Sequence, residues 1–336
     1  MNNVFKKWPY IRHHWKIIMH HLTWRRSVNL VINQLEYLLR RKRLISMPPY
    51  IKIDPSIRCH LRCPGCPQSR DSFRASLPKK SLLTFEEFKK ILDPLVETTF
   101  GISLSLYGEP LINKNIIPMI EYATSHNIGV WFPTNFSLDF HDEFFEKLSR
   151  SGLEKLVVSL DGTTKEAYIK YRVGGDFDLV RNNVKRLADI KKRLGLDTPQ
   201  IEWKFIIFDH NRNQVETVKR EYRQWGFDSY FLVLDRRGDK LVHNHASSFK
   251  KRKSCFWLYN TIHVEVDGTI RPCCSNKPSW NIGNALTTDI RILWNNARYQ
   301  DLRGGFSYIN YGKAMDPVCV NCLGGDRLTS NHVVEK

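Results

Sequence analysis

The segment "CHLRCPGC", residues 59–66, places Cys59, Cys63 and Cys66 four and then three positions apart, with basic residues between them. A structural zinc site takes four protein ligands, and no fourth stands nearby. What flanks this loop decides the fold. "YIKID" (50–54) reads as a short strand before it, and Thr84 caps an amphipathic helix running to about Thr98 after it. Strands follow at 102–110 ("ISLSLYGEP"), 128–135, 153–162, 200–208 and 229–234, with helices near 115–126, 139–150, 164–171, 176–194 and 211–225. Six β-then-α repeats, the last incomplete, predict a parallel sheet, either open and doubly wound or a partial barrel. In both cases function sits at the C-terminal strand ends. There the sequence puts the cysteine loop, Gly108-Glu109-Pro110, Thr134-Asn135 and Ser159-Leu160-Asp161-Gly162.

The chain has 336 residues, 42% of them hydrophobic, and this suffices for a real core. It shows neither a signal-peptide pattern nor a long apolar run, so a soluble cytoplasmic protein is expected. In a reducing compartment its eight cysteines point to metal binding or catalysis rather than disulfides. The net charge of +18 is uneven, because residues 1–45 hold ten Lys/Arg against one acid, Glu36. Val28, Val31, Ile32, Leu35, Leu38 and Leu39 recur at helical spacing and run into Arg40-Arg41-Lys42-Arg43. This predicts a basic amphipathic helix whose apolar stripe packs on the body, the other reading being a peripheral membrane helix over residues 22–43. No zinc-finger or RNA-recognition pattern accompanies the charge, so no specific nucleic-acid partner is expected.

A [4Fe–4S] cubane on three cysteines leaves one iron without a protein ligand, open to a cosubstrate. Here the sequence resembles the radical S-adenosylmethionine (SAM) superfamily, whose C-x3-C-x2-C motif follows the first strand of a partial (β/α)6 barrel. The resemblance implies that Cys59, Cys63 and Cys66 hold the cluster, and that Gly108, Glu109 and Pro110 correspond to a GGEP loop that binds the SAM amino group. Tyr107 replaces the first glycine of that loop. Thr134, Asn135, Ser159 and Arg172 resemble positions that contact the ribose or carboxylate of SAM. The residue before the third cysteine, aromatic in relatives, is Gly65 here, so adenine packing must come from elsewhere.

Cys255, Cys273, Cys319 and Cys322 would suit tetrahedral zinc taken alone. With the first motif, "CFW", "VEVDGTIRPCC" and "CVNC" resemble a C-terminal SPASM/twitch extension in the shortened form that carries one fully ligated auxiliary [4Fe–4S] cluster. Cys274 is then surplus. The expected organisation is a basic arm (1–48), a barrel (49–250) and an auxiliary-cluster domain (251–336). Two [4Fe–4S] clusters, SAM and an electron donor such as flavodoxin or ferredoxin are implied. The subgroup resembles an aminocyclitol dehydrogenase, which implies oxidation of a hydroxyl on a sugar, cyclitol or glycan, anionic or lipid-linked, with Asp161 and Glu265 as candidate bases. A peptide maturase is the alternative enzyme, and a zinc-bearing nucleic-acid binder the alternative of another class. His243 and His245 read as an exposed loop. The basic run 250–253 reads as a linker or an anion-binding junction.

Overall fold

The strand-like runs become strands that line up in chain order. β1 (Tyr50–Ile53), β2 (Gly101–Ser103), β3 (Gly129–Thr134), β4 (Lys155–Ser159), β5 (Gln200–Ile207) and β6 (Ser229–Leu234) are successive parallel neighbours. The structure is a computed structural model, and it describes residues 15–235, 254–273, 280, 282–307, 316, 319 and 332–333. A doubly wound sheet reverses its strand order at a switch point. Here the six repeats advance without reversal, which is the order of a partial (β/α)6 barrel.

Three more strands lengthen the sheet. β7 (Thr261–Val264) pairs parallel to the free edge of β1, β8 (Ile270–Arg271) antiparallel to β7, and β9 (His332–Val333) antiparallel to β6. The late cysteine segment therefore joins the barrel through its own sheet.

The described helices are α1 (Trp15–His20), α2 (Trp24–Leu38), α3 (Asp71–Ala75), α4 (Phe85–Leu92), α5 (Ile116–Ser125), α6 (Asp142–Arg150), α7 (Lys165–Tyr171), α8 (Phe177–Arg193), α9 (Val215–Glu221), α10 (Phe256–Asn260), α11 (Ile290–Leu293) and α12 (Ala297–Gly304). Along the strands, Ile51, Ile53, Ile102, Val130, Phe132, Leu156, Val158, Ile201, Trp203 and Phe205 enter the large core with the helices. Alternation then puts Lys52, Ser103, Lys155, Glu202 and Lys204 on the opposite, interior face of the barrel. There Lys155 Nζ pairs with Glu202 Oε1 at 3.1 Å. α1 closes the N-terminal end of the strands, because Ile17 and Ile18 pack with Tyr50, Phe100 and Trp131.

Several elements are shorter than the sequence pattern predicts. α4 has the expected Thr84 cap, completed by Glu87 into a capping box, but stops at Leu92. Pro94 forces a 3-10 turn over Asp93–Leu95, since proline lacks the N–H that a continuing helix needs and crowds the carbonyl four residues back. The strand expected over 102–110 ends at Ser103. Beyond the Leu104 N–H, which bonds the Trp131 carbonyl at 3.1 Å, the chain leaves the ladder, and the amides of residues 106–108 turn toward the Asp54 carboxylate.

The arm also departs from its expected packing. α2 ends before the basic run, with Arg40 at φ 52°. Its inward face consists of Arg26, Asn29, Asn33 and Glu36. The apolar stripe faces out instead, with Val31 59%, Leu35 54% and Leu38 55% exposed. The polar face wins because its amides and its carboxylate are matched by hydrogen bonds to the body. Asn29 Nδ2 donates to the Met47 carbonyl (3.0 Å) and Asn29 Oδ1 accepts from the Met47 N–H (2.8 Å). Asn33 Nδ2 donates to the Tyr259 carbonyl (2.6 Å), and Glu36 accepts from the Ile45 N–H (2.6 Å) and the Ser46 hydroxyl (2.6 Å).

Candidate metal and cofactor site

The cysteine loop is fixed from both sides by backbone bonds. Buried Gln68 donates from Nε2 to the Ile57 carbonyl (2.6 Å), and Arg74 donates from Nη2 to the Cys59 carbonyl (2.5 Å). The Arg62 N–H donates to the Val173 carbonyl (2.8 Å), binding the loop to the segment after α7. Gly65 has φ 75°, a left-handed conformation that an aromatic residue would adopt only under strain. That accounts for the glycine before Cys66.

Cys59, Cys63 and Cys66 share one cluster with Leu61, Tyr171, Ile206 and Phe208. Asn135 Nδ2 donates to Cys59 Sγ (3.6 Å), and Arg172 Nη1 donates to Cys63 Sγ (3.8 Å). Burial, with the Glu109 carboxylate next, pushes the Cys59 thiol up to about 11. Burial also raises the Cys63 thiol, and Arg172 pulls the other way. Such thiols stay protonated until a metal supplies positive charge. Among the described residues no three His, Cys, Asp or Glu groups converge as a single ion would require. A cubane makes no such demand, because each cysteine sits on a different iron. Soft sulfurs, N–H donors aimed at two of them and an apolar wall are a donor set that fits an iron–sulfur cluster.

Gly108, Glu109, Thr134 and Asn135 meet beside this loop. A Cβ on Gly108 would lie 1.9 Å from the Ser56 carbonyl oxygen and 2.8 Å from that of Arg58, so only glycine fits. The Glu109 N–H donates to the Arg58 carbonyl at 2.8 Å. Its buried carboxylate accepts from Thr134 Oγ1 (2.6 Å), the Asn135 N–H (2.7 Å) and the Leu111 N–H (3.2 Å), which uses three of its roughly four lone-pair positions. Burial raises the Glu109 pKa, and the Asn135 and Thr134 bonds oppose the rise. Pro110 starts the 3-10 turn that follows. Asp54, at the end of β1, lies under the same loop. Burial pushes its carboxyl up to about 8 although the amides of Tyr107, Leu106 and Gly108 face it, at geometry short of full hydrogen bonds.

Arg172 caps α7 and is held by Asp161, whose Oδ2 accepts from Nε (2.6 Å) while its Oδ1 accepts from the Ile206 N–H (2.6 Å). Asp161 is therefore a positioning residue and not a free base. Glu265 is likewise engaged, by Arg271 at 2.9 Å. Ser159 ends β4, buried beside Lys204, and takes part in none of these bonds.

Sequence reasoning missed two features. Tyr171 and Phe208, ring centroids 4.4 Å apart, wall the cysteine cluster with Ile206. The only sequence signal was an aromatic residue after the fifth strand. His263, on β7 beside Lys52, is fully buried, and among the described residues neither ring nitrogen has a hydrogen-bond partner. Its neighbours Ile262 and Val264 join the helix-side core, so His263 points to the barrel interior. Burial, then Lys52, lowers its pKa well below the usual imidazole value. Its only signal was a histidine inside an apolar strand.

Cys255, Cys273 and Cys319 all pack against the large core. Cys255 precedes α10, Cys273 follows β8, and the Cys319 N–H donates to the Asp316 carbonyl (2.8 Å). Asp316 in turn accepts from Trp280 Nε1 (2.9 Å). Burial raises the Tyr299 hydroxyl; Arg303 opposes the rise, and Cys273 and Cys255 add to it. Cys274, Cys322, His243, His245 and the run 250–253 lie outside the described residues.

Comparison with known proteins agrees with this geometry. A model of the radical SAM superfamily matches residues 53–198, and a model of the SPASM iron–sulfur cluster-binding domain matches residues 255–323. The chain is 26% identical over 224 residues to an AdoMet-dependent heme synthase of Methanosarcina barkeri, an alignment that takes 64% of this chain and 59% of that one. The chain thus spans less than two thirds of that relative's length. Among solved structures it is similar to BtrN in complex with AdoMet and 2-DOIA (TM-score 0.53, 18% identity, 83% of this chain and 94% of that one). It is also similar to Streptococcus suis SuiB bound to precursor peptide SuiA (TM-score 0.52, 15% identity, 90% and 74%). These likenesses establish the fold.

Proposed function

Because the chain belongs to the radical SAM superfamily and carries a C-terminal SPASM iron–sulfur domain, we propose that it cleaves SAM reductively and dehydrogenates a hydroxyl of a sugar, cyclitol or glycan. The observation that carries the first half is the convergence of the 59–66 loop, the Glu109–Thr134–Asn135 group and Arg172 at one end of the barrel. When bound, a [4Fe–4S] cluster with SAM would supply the radical that takes the carbinol hydrogen, and a second, fully ligated cluster would accept the electron left behind.

The chain's own residues then have distinct tasks. Cys59, Cys63 and Cys66 hold the first cluster, while Asn135 and Arg172 donate N–H bonds to its sulfur ligands. Glu109 receives the SAM ammonium at its remaining acceptor position. Tyr171, Ile206 and Phe208 supply the apolar wall for adenine that Gly65 cannot. Cys255, Cys273, Cys319 and Cys322 hold the second cluster. Asp161 and Glu265 are each held by an arginine and are not free to take the hydroxyl proton, which passes to water. A carbinol then loses one hydrogen atom, one proton and one electron, which balances to a ketone.

Deuterium at the carbinol carbon should appear in 5′-deoxyadenosine, with a ketone two mass units below the unlabelled alcohol as product. A mass-neutral product would move the assignment to epimerisation. A sulfur-linked product would favour the second reading, a peptide maturase, which is supported by the likeness to SuiB bound to its precursor peptide.

The buried imidazole also makes a prediction that needs no substrate. The unfolded chain binds a proton at His263 near the ordinary value of about 6.5, whereas the folded chain does not. Stability should therefore fall as pH drops below about 6.5, by up to about 1.4 kcal/mol per unit. His21 works oppositely. Burial lowers its pKa, but bonds to Glu154 and Asn127 raise it overall, so its contribution is present at low pH and is lost as pH rises. Comparing urea midpoints of the wild type and His263→Gln at pH 7 and pH 5.5 isolates the His263 part. Identical pH dependence in the two would show that the ring is not held neutral.

A further inference from the structure

α2 packs against the body through Arg26, Asn29, Asn33 and Glu36, which leaves its apolar stripe largely exposed. Trp24, Val28, Val31, Leu35, Leu38 and Leu39 form one stripe at three- and four-residue spacing, with Trp24 81% and Leu39 61% exposed. Immediately after it, Arg41, Lys42 and Arg43 are exposed as well. The one acid among residues 1–45, Glu36, is turned inward onto Ile45 and Ser46, so the arm's own residues present cations and no carboxylate beside the apolar stripe.

We propose that this face docks on an anionic bilayer, with α2 in the plane of the interface, its apolar stripe at the headgroup–acyl boundary and the basic run against lipid phosphates. The charge pattern selects this occupant. A second copy would bring two cationic faces together, whereas anionic lipid complements both the apolar stripe and its basic flank. The geometry makes the contact peripheral. α2 has 15 residues, about 22 Å of helix, which is too short to cross a hydrocarbon core of about 30 Å. No described helix is long and apolar enough to span a membrane. The inward hydrogen bonds of Asn29, Asn33 and Glu36 tie the docking helix to α10 and to residues 45–47, which lead into β1, so binding would fix the orientation of the whole body.

The test is cosedimentation of the full chain with vesicles of equal parts phosphatidylglycerol and phosphatidylcholine, and with phosphatidylcholine alone. Binding should require the anionic lipid and weaken as salt rises. The double variant Val31→Glu/Leu35→Glu changes only exposed positions. It should keep the wild-type urea midpoint, which separates lost docking from misfolding, while vesicle binding drops roughly a hundredfold. Replacing Arg41, Lys42 and Arg43 by Gln should produce a loss of similar order, on about 1 kcal/mol per charge. Vesicle binding unchanged in both variants would overturn the proposal. So would a concentration-dependent dimer that the double variant abolishes in a protein that never sediments with vesicles.

Discussion

Replacing Cys59, Cys63 and Cys66 together by alanine should lower the iron of the anaerobically reconstituted protein from about eight to about four atoms per chain and abolish SAM cleavage. The fold should survive. The bonds that shape the loop run from Gln68 to the Ile57 carbonyl, from Arg74 to the Cys59 carbonyl and from the Arg62 N–H to Val173, and alanine retains every one of these backbone groups. What disappears is the set of soft ligands toward which Asn135 and Arg172 point. The complementary variant, Cys273→Ala, should keep the SAM-cleaving cluster and lose the other. Iron analysis and the spectrum of the reduced clusters read both. Undiminished iron in the triple variant would remove the 59–66 loop from the site.

Gly108→Ala should nearly eliminate SAM binding without touching any side chain of the site. Its Cβ would stand 1.9 Å from the Ser56 carbonyl oxygen, so the backbone of 56–58, which leads directly into Cys59, must move away from the Glu109 loop. The bond from the Glu109 N–H to the Arg58 carbonyl would stretch or break. Overpacking of this kind costs about 1–3 kcal/mol, which a core of this size survives. The readouts are the urea midpoint and SAM affinity by equilibrium dialysis. A stable Gly108→Ala protein that binds SAM as the wild type does would mean that the 108–110 loop is not part of the SAM site.

The repeat order and the C-terminal strand ends were legible because they rest on local signals. Alternating strands and helices, with Thr84 capping the first of those helices, carry their own hydrogen-bonding logic. Cysteine spacing is equally local. What escaped depends on partners distant in sequence. Hydrophobic periodicity identified the two faces of α2 but not which one meets the body, since that turned on Asn29, Asn33 and Glu36 matching Met47, Ser46 and Tyr259. Asp161 looked like a free carboxylate until Arg172 and the Ile206 N–H closed on it. β7 could not be assigned to the barrel sheet from sequence, because its partner β1 lies some 200 residues away. His263 is recognisable as a buried, neutral imidazole only once that pairing sets it beside Lys52.

The central claim, reductive SAM cleavage at the 59–66 loop, is tested most directly by incubating anaerobically purified, reconstituted protein with SAM and dithionite and measuring 5′-deoxyadenosine and methionine. The account predicts both products in equal amounts from the wild type and none from the triple cysteine variant. Zinc as the main metal of that preparation, with no 5′-deoxyadenosine formed, would contradict it.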